Sequence, residues 1–198
     1  MSKNKRLALL SMMIALEILF AIVPFLGYIP LGIINATTLH IPVILTAIIL
    51  GPKEGMLLGF IFGLTSLIKN TMSPNVTSFL FTPFYGVGNF YSLLICFLPR
   101  ILIGAITGYL YKFLKDKIND NLATGISAFF GAFTNTCLVM SFAYIFFKDA
   151  YANATGISLT AVKAAILAIV FNNGIAEAIV AVIFALVIGK IAKRIINN

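Results

Sequence analysis

Between Asn89 and Lys112 the chain reads FYSLLICFLPRILIGAITGYLY, residues 90–111, and this stretch decides the fold. As a helix it rises about 33 Å, enough to cross a hydrocarbon core of roughly 30 Å. Its one charge, Arg100, falls near the middle. An unpaired guanidinium in hydrocarbon is costly, so such a residue faces a cavity or a partner. By the same counting Asn135, Asn172 and Asn173 lie at a similar depth in later apolar runs. A polar belt inside an oily protein points to a pocket for a small polar solute, and the cation points to an anionic one.

The composition extends this reading to the whole chain. Of the 198 residues 61% are hydrophobic and 10% charged, and the mean hydropathy is +1.06. A soluble domain of this size has no way to hide so much apolar surface, and the repeated long apolar runs read as membrane spans. The pattern predicts an all-α, six-transmembrane-helix bundle that uses residues 1–198 as a single integral membrane domain. Helices are expected over 7–23, 41–50, 54–69, 90–111, 122–146 and 160–188. Lys3, Lys5 and Arg6 before the first run resemble the start of a signal peptide. No small-residue cleavage site follows, so the run reads as a retained helix.

The second helix is too short to span, since a dozen residues rise only about 18 Å. The segment before it holds Gly27, Pro30, Gly32, Asn35, Thr37 and Thr38. Irregular backbone enters a membrane only where protein or a wet cavity satisfies it. Residues 25–39 therefore either dip into the bundle or form a surface loop before a tilted short helix.

The net charge of +8 does not indicate nucleic acid, because the cations sit at the ends of apolar runs. With six spans, Lys3, Lys5, Arg6, Lys53, Lys112, Lys115, Lys117, Lys190, Lys193 and Arg194 share one side. Lys69, Lys148 and Lys163 fall on the other. The bias predicts that both termini are cytoplasmic. The three outward connections, 25–39, 70–89 and 147–159, are the longer ones, and long loops tend to carry function.

Several residues carry two readings. Gly55, Gly59 and Gly63 share a helix face, as do Gly104 and Gly108, and such faces let helices approach closely. Ser11 and Ala15 form a similar face on the first helix, which either packs internally or docks a second membrane protein. Arg100 either holds a ligand carboxylate, whose geometry its guanidinium matches, or pairs with Glu177. Glu177 in turn either pairs or carries a proton, and it shares a face with Asn173 four residues before it. Asn135, Asn172 and Asn173 each donate and accept, and serve a ligand or tie helices together. His40, the one histidine, is a helix-end residue or part of the pocket, and it cannot make a metal site alone. Phe79, Phe81, Phe84 and Tyr85 read as an interfacial belt or as a lid. Cys96 and Cys137 fall inside helices and read as structural thiols. No nucleotide-binding glycine loop, HExxH or Gly-x-Ser-x-Gly is present. An intramembrane enzyme with Glu177 or His40 as base lacks a second catalytic partner, and a pure scaffold does not explain the polar belt. ATP-driven work would fall to other subunits.

At this point the chain resembles the substrate-binding S components of energy-coupling factor (ECF) transporters. The resemblance covers essentially the whole chain. It rests on the six-helix layout, Ser11-Met12-Met13-Ile14-Ala15, Leu39-His40-Ile41-Pro42-Val43-Ile44, Leu50-Gly51-Pro52-Lys53-Glu54-Gly55 and Gly59-Phe60-Ile61-Phe62-Gly63-Leu64-Thr65-Ser66. Within the family it looks most like the pantothenate-specific branch, through Ile34-Asn35-Ala36-Thr37-Thr38-Leu39-His40, Ser78-Phe79-Leu80-Phe81-Thr82-Pro83-Phe84-Tyr85 and Pro99-Arg100-Ile101-Leu102. Family members usually carry Ala-x-x-x-Ala on the first helix, where this chain begins with Ser11.

The resemblance implies a cell-membrane vitamin-binding subunit, not an enzyme and without a cofactor. It would work with a transmembrane coupling subunit and two cytoplasmic ATPases, toppling in the bilayer to carry its ligand inward. For pantothenate it implies Arg100 on the carboxylate and Asn135, Asn172 and Asn173 on the amide or hydroxyls. Asn35, Thr37 and His40 would contribute from the first loop, and Phe81 and Tyr85 would close over the gem-dimethyl group. Ser11 and Ala15 would dock the coupling subunit. Pairing of Arg100 with Glu177 would instead favour a neutral vitamin such as riboflavin.

Overall fold

The computed structural model describes residues 1–23, 27–31 and 34–197, with backbone alone for 28–31, 34–36 and 193–197. Helix α1 (Lys3–Ile22) begins at Ser2, whose hydroxyl accepts from the Lys5 N–H at 3.3 Å. It ends where Val23 turns extended, as a residue before proline prefers. Glu17 faces inward from its middle and is fully buried, and neither of its carboxylate oxygens finds a hydrogen-bond partner among the described residues.

Strands β1 (Tyr28–Leu31) and β2 (Ile34–Thr37) follow as an antiparallel hairpin, with Tyr28 opposite Thr37 and Leu31 opposite Ile34. The glycines and proline of this segment predict irregular backbone, but the segment pairs its own N–H and C=O groups across two short strands. A paired ladder is one of the few ways to bring non-helical chain against an apolar interior. The Thr38 N–H closes onto the Gly27 carbonyl at 3.1 Å, and β2 packs on the last helical rod.

Helix α2 (His40–Ile49) has every residue from His40 to Ile48 buried, so this short apolar element is the centre of the bundle. Gly51, at φ 113°, turns the chain into α3 (Pro52–Met72), which opens on a proline at a position that needs no N–H. A short 3-10 turn at Ser78–Leu80 precedes α4 (Phe90–Leu114), which starts in a reciprocal capping box of Asn89 and Ser92.

Helix α5 (Asp120–Thr155) runs well past the 122–146 predicted. It kinks at Phe147 (φ −134°, ψ 24°), resumes, and stops at Gly156 in the left-handed region. The outward connection 147–159 is thus helical through Thr155. The final apolar run forms α6 (Val162–Ile169), a π turn (Val170–Gly174) and α7 (Ile175–Asn197). Among the described residues, four helices are long and apolar enough to cross a membrane: α3, α4, α5 and the rod of residues Val162–Ala192. The fold is therefore helical and of membrane type, with the hairpin as an addition.

The glycine faces do pack the interior. A Cβ on Gly104 would overlap the Gly55 backbone, one on Gly59 the Arg100 carbonyl, and one on Gly108 would come within 2.5 Å of Pro52. Helices α3 and α4 therefore meet backbone to backbone, and this contact fixes the height of Arg100 against α3. Gly104→Leu is expected to separate them and cost at least about 1–3 kcal/mol. A thermal-unfolding scan in detergent should show a midpoint several degrees lower, or loss of folded protein.

Two apolar clusters flank the middle of the molecule. One joins Met13, Val43, Ile44, Leu58 and Ile103. The other joins Phe79, Leu80, Ile95, Phe147, Tyr151 and Val162. Cys96 and Cys137 are free thiols, and the Cys96 Sγ–H sits against the Gly63 carbonyl at 3.2 Å.

Candidate functional site

The site grows from Pro99. Proline has no N–H, so the carbonyl four residues earlier in a helix loses its partner. In α4 that carbonyl belongs to Ile95, and Arg100 Nη1 donates to it at 2.9 Å. The guanidinium is further held by two rings, Phe81 at 4.8 Å and Phe62 at 5.3 Å from their centroids. Facing aromatic rings attract a cation and keep water from it. Arg100 is buried, at 6% exposure, yet it opens onto a cavity.

That cavity has a volume of about 280 Å³. Helix α3 supplies Phe62, Ser66 and Asn70, which are spaced by four and so share one face. Helix α5 supplies Asn135, Thr136, Val139 and Met140, and the last rod supplies Ile169, Asn173 and Glu177. Thr37 and Leu39 enter from the hairpin side, and Phe81 and Asn75 from the connection before α4.

Glu177 is tied to the hairpin. Its Oε1 accepts from the Thr37 N–H at 3.0 Å and from the Thr37 hydroxyl at 2.8 Å. Its Oε2 accepts from the Thr136 hydroxyl at 2.8 Å. One carboxylate thus links β2, α5 and α7 around the cavity. Across the cavity mouth, Ser78 Oγ donates to Asn70 Oδ1 at 2.7 Å and takes the Asn75 N–H at 2.8 Å, stitching the 3-10 turn to the end of α3. Asn135 Oδ1 is buried and has no partner among the described residues. A buried acceptor without a partner is uncommon and calls for an explanation.

Of the residues named from sequence, Arg100, Asn135, Asn173, Thr37 and Phe81 come together on this cavity. The Asn35 side chain lies outside the described residues. Asn172 is exposed, because the π turn at Val170–Gly174 shifts the helical phase and aims it away while Asn173 faces inward. His40 is buried at the start of α2, near Glu177 but behind the cavity wall. Tyr85 is 37% exposed and does not line the cavity, so the aromatic run divides: Phe79 fills the core, Phe81 covers Arg100, and Phe84 and Tyr85 face outward. The Arg100–Glu177 alternative gains no direct hydrogen bond, since all three described bonds to the Glu177 carboxylate come from Thr37 and Thr136. Ser66, Asn70, Asn75 and Thr136 join the wall without having been singled out. The spacing Phe62, Ser66, Asn70 was the signal for two of them.

Ser11 and Ala15 are both exposed on the outer face of α1, between Leu7 and Ile18. They take no part in the internal core.

Helices of this length and polarity around a polar internal cavity define a multi-pass membrane protein that accommodates a small molecule. The chain belongs to the family of ECF transporter substrate-specific components, whose pattern it matches over residues 5–189. It is 36% identical over 170 residues to the pantothenic acid transporter PanT of Lactococcus lactis subsp. cremoris, a match covering 83% of this chain and 81% of that one. It is 31% identical over 199 aligned positions to the pantothenate transporter PanT of Leuconostoc mesenteroides subsp. mesenteroides, covering 96% and 93%.

Proposed function

We propose that this chain is the pantothenate-binding subunit of an ECF importer. The observation that carries the reading is the pairing, on one cavity, of a buried aromatic-flanked Arg100 with hydrogen-bonding groups from Asn135, Thr136, Asn173 and Thr37. Pantothenate presents a carboxylate at one end, and an amide and two hydroxyls along the rest. The guanidinium takes the carboxylate, and the neutral groups take the remainder. A volume of about 280 Å³ lies just below the roughly 300–1,000 Å³ span of ligand pockets, which favours a slender acid over a tricyclic vitamin. The names of the two PanT relatives support the same ligand.

In this reading the whole chain is one membrane domain with six spans, α1 and α2 completing the four long rods. Both termini face the cytoplasm, supported by the ten cations at that end. The exposed Ser11–Ala15 face of α1 docks the transmembrane coupling subunit, and two cytoplasmic ATPases drive the cycle. Reconstitution into proteoliposomes with a coupling module tests the reading. ATP-dependent accumulation of labelled pantothenate is expected, competed by unlabelled pantothenate and not by riboflavin. Accumulation of riboflavin instead would overturn the ligand assignment.

A further inference from the structure

We infer that Glu177 is a positioning residue that fixes the hydrogen-bond polarity of the cavity wall, so that the wall at Thr37 and Thr136 accepts hydrogen bonds from the ligand and gives none. This rests on the pantothenate reading and specifies which of the ligand's groups meets which wall.

A threonine hydroxyl has one proton and two lone pairs. The Thr37 and Thr136 hydroxyls both spend that proton on the Glu177 carboxylate, each at 2.8 Å. Oε1 also takes the Thr37 N–H at 3.0 Å, which locks the direction of that contact, because an amide N–H only donates. Both threonines line the cavity, and lone pairs are all their hydroxyls have left to offer it. Asn135 lines the cavity as well, and its Oδ1 is buried and without a partner among the described residues. Arg100 is the converse: a guanidinium donates and never accepts. The cavity therefore has a donor wall around Arg100 and an acceptor wall at the hydroxyls of Thr37 and Thr136. A ligand that fits both is an anion whose other polar groups carry their own protons, a hydroxy acid or hydroxy amide. An acid bearing ethers or ketones at those positions would set lone pair against lone pair, and a buried mismatch of this kind is heavily penalised.

The carboxylate is what holds this arrangement. A glutamine there keeps the shape and one oxygen. That oxygen stays with the two Thr37 donors, and the new amide N–H then donates to Thr136. The Thr136 proton is then released toward the cavity, and the wall at that point donates instead of only accepting.

The test measures equilibrium binding of pantothenate and its two monofluoro analogues, each with fluorine replacing one hydroxyl. Fluorine is close in size but cannot donate. The wild-type chain is expected to prefer pantothenate over at least one analogue by tenfold or more. In Glu177→Gln that preference is expected to shrink about tenfold. The preference for pantothenate over pantothenol, its neutral alcohol analogue, should stay as it was, since it reads Arg100. A merely structural role for Glu177 would weaken all four ligands alike and leave the ratios unmoved. Should Glu177→Gln fail to fold, Thr136→Val decides, because deleting that acceptor must narrow the same ratio. An unchanged ratio in a variant that still binds pantothenate overturns the inference. Absence of pantothenate binding by the wild-type chain overturns the proposed function, and this assignment of hydroxyls falls with it.

Discussion

Replacing Arg100 with alanine is expected to weaken pantothenate binding by about thirtyfold to more than a hundredfold. The arithmetic follows from the loss of a charge-assisted hydrogen bond, about 2–3 kcal/mol, at roughly 1.4 kcal/mol per factor of ten. The effect belongs at the upper end of that range. Arg100 is 6% exposed and lies near two rings, so water screens the contact little. Arg100→Lys should restore only part of the loss. A lysine keeps a positive charge but loses the planar fork that meets two carboxylate oxygens at once. The substitution also gives up the hydrogen bond to the Ile95 carbonyl, which Pro99 leaves without a backbone partner. A drop in thermal midpoint should therefore accompany the drop in affinity. It should be modest, near the 1 kcal/mol of an ordinary hydrogen bond. Equilibrium dialysis with labelled pantothenate, alongside a thermal scan of the same samples, separates the two effects. Full affinity in a folded Arg100→Ala protein would remove the carboxylate anchor from the account.

The second large effect is expected on the exposed face of α1. Ala15→Trp should reduce ATP-driven uptake more than tenfold while leaving pantothenate affinity within twofold of wild type. Ser11 and Ala15 form an exposed small-residue stripe on α1, and the apolar side chains around them, Leu7, Met12, Ile18 and Ile22, are exposed as well. In hydrocarbon, helices associate by close van der Waals approach over small residues, and a bulky ring there holds the backbones apart. The inward side of α1 is a different surface, carrying Met13 and Glu17 into the core. A change at Ala15 therefore does not travel to the cavity through packing. Paired assays of binding in detergent and uptake in proteoliposomes check this. Uptake unaffected by the tryptophan would move the docking surface away from this face.

How far the sequence foretold these features varies with the physics behind each. The long rods were legible because apolar runs of bilayer length allow little else. The glycine faces were legible because close helix contact requires small residues at a spacing of four. The buried cation on the cavity was legible from one charge in the middle of an apolar run. Its partner carbonyl followed in principle from Pro99, since the residue four before a helical proline is always left unpaired.

Other features depended on events that no periodicity records. The π turn at Val170–Gly174 adds a residue to one turn of the rod, which sends Asn172 outward and Asn173 inward although they are neighbours in sequence. The kink at Phe147 lets α5 continue to Thr155 where the composition suggested a loop. The hairpin was hidden because strands of four residues containing a proline and flanked by glycines carry too little alternation to read. Thr136 was hidden by its ordinariness: threonine on a helix most often bonds its own backbone, and only the approach of Glu177 from another helix gives it a role.

The most direct test of the central claim is a calorimetric titration of the purified protein with pantothenate and, in parallel, with pantothenol. Pantothenol keeps the amide and both hydroxyls of the pantoyl end and replaces the carboxylate with an uncharged alcohol. The account predicts saturable one-to-one binding of pantothenate, with pantothenol weaker by at least about thirtyfold, the same contact removed from the ligand side. Equal affinity for the two, or no heat from pantothenate at all, would contradict it.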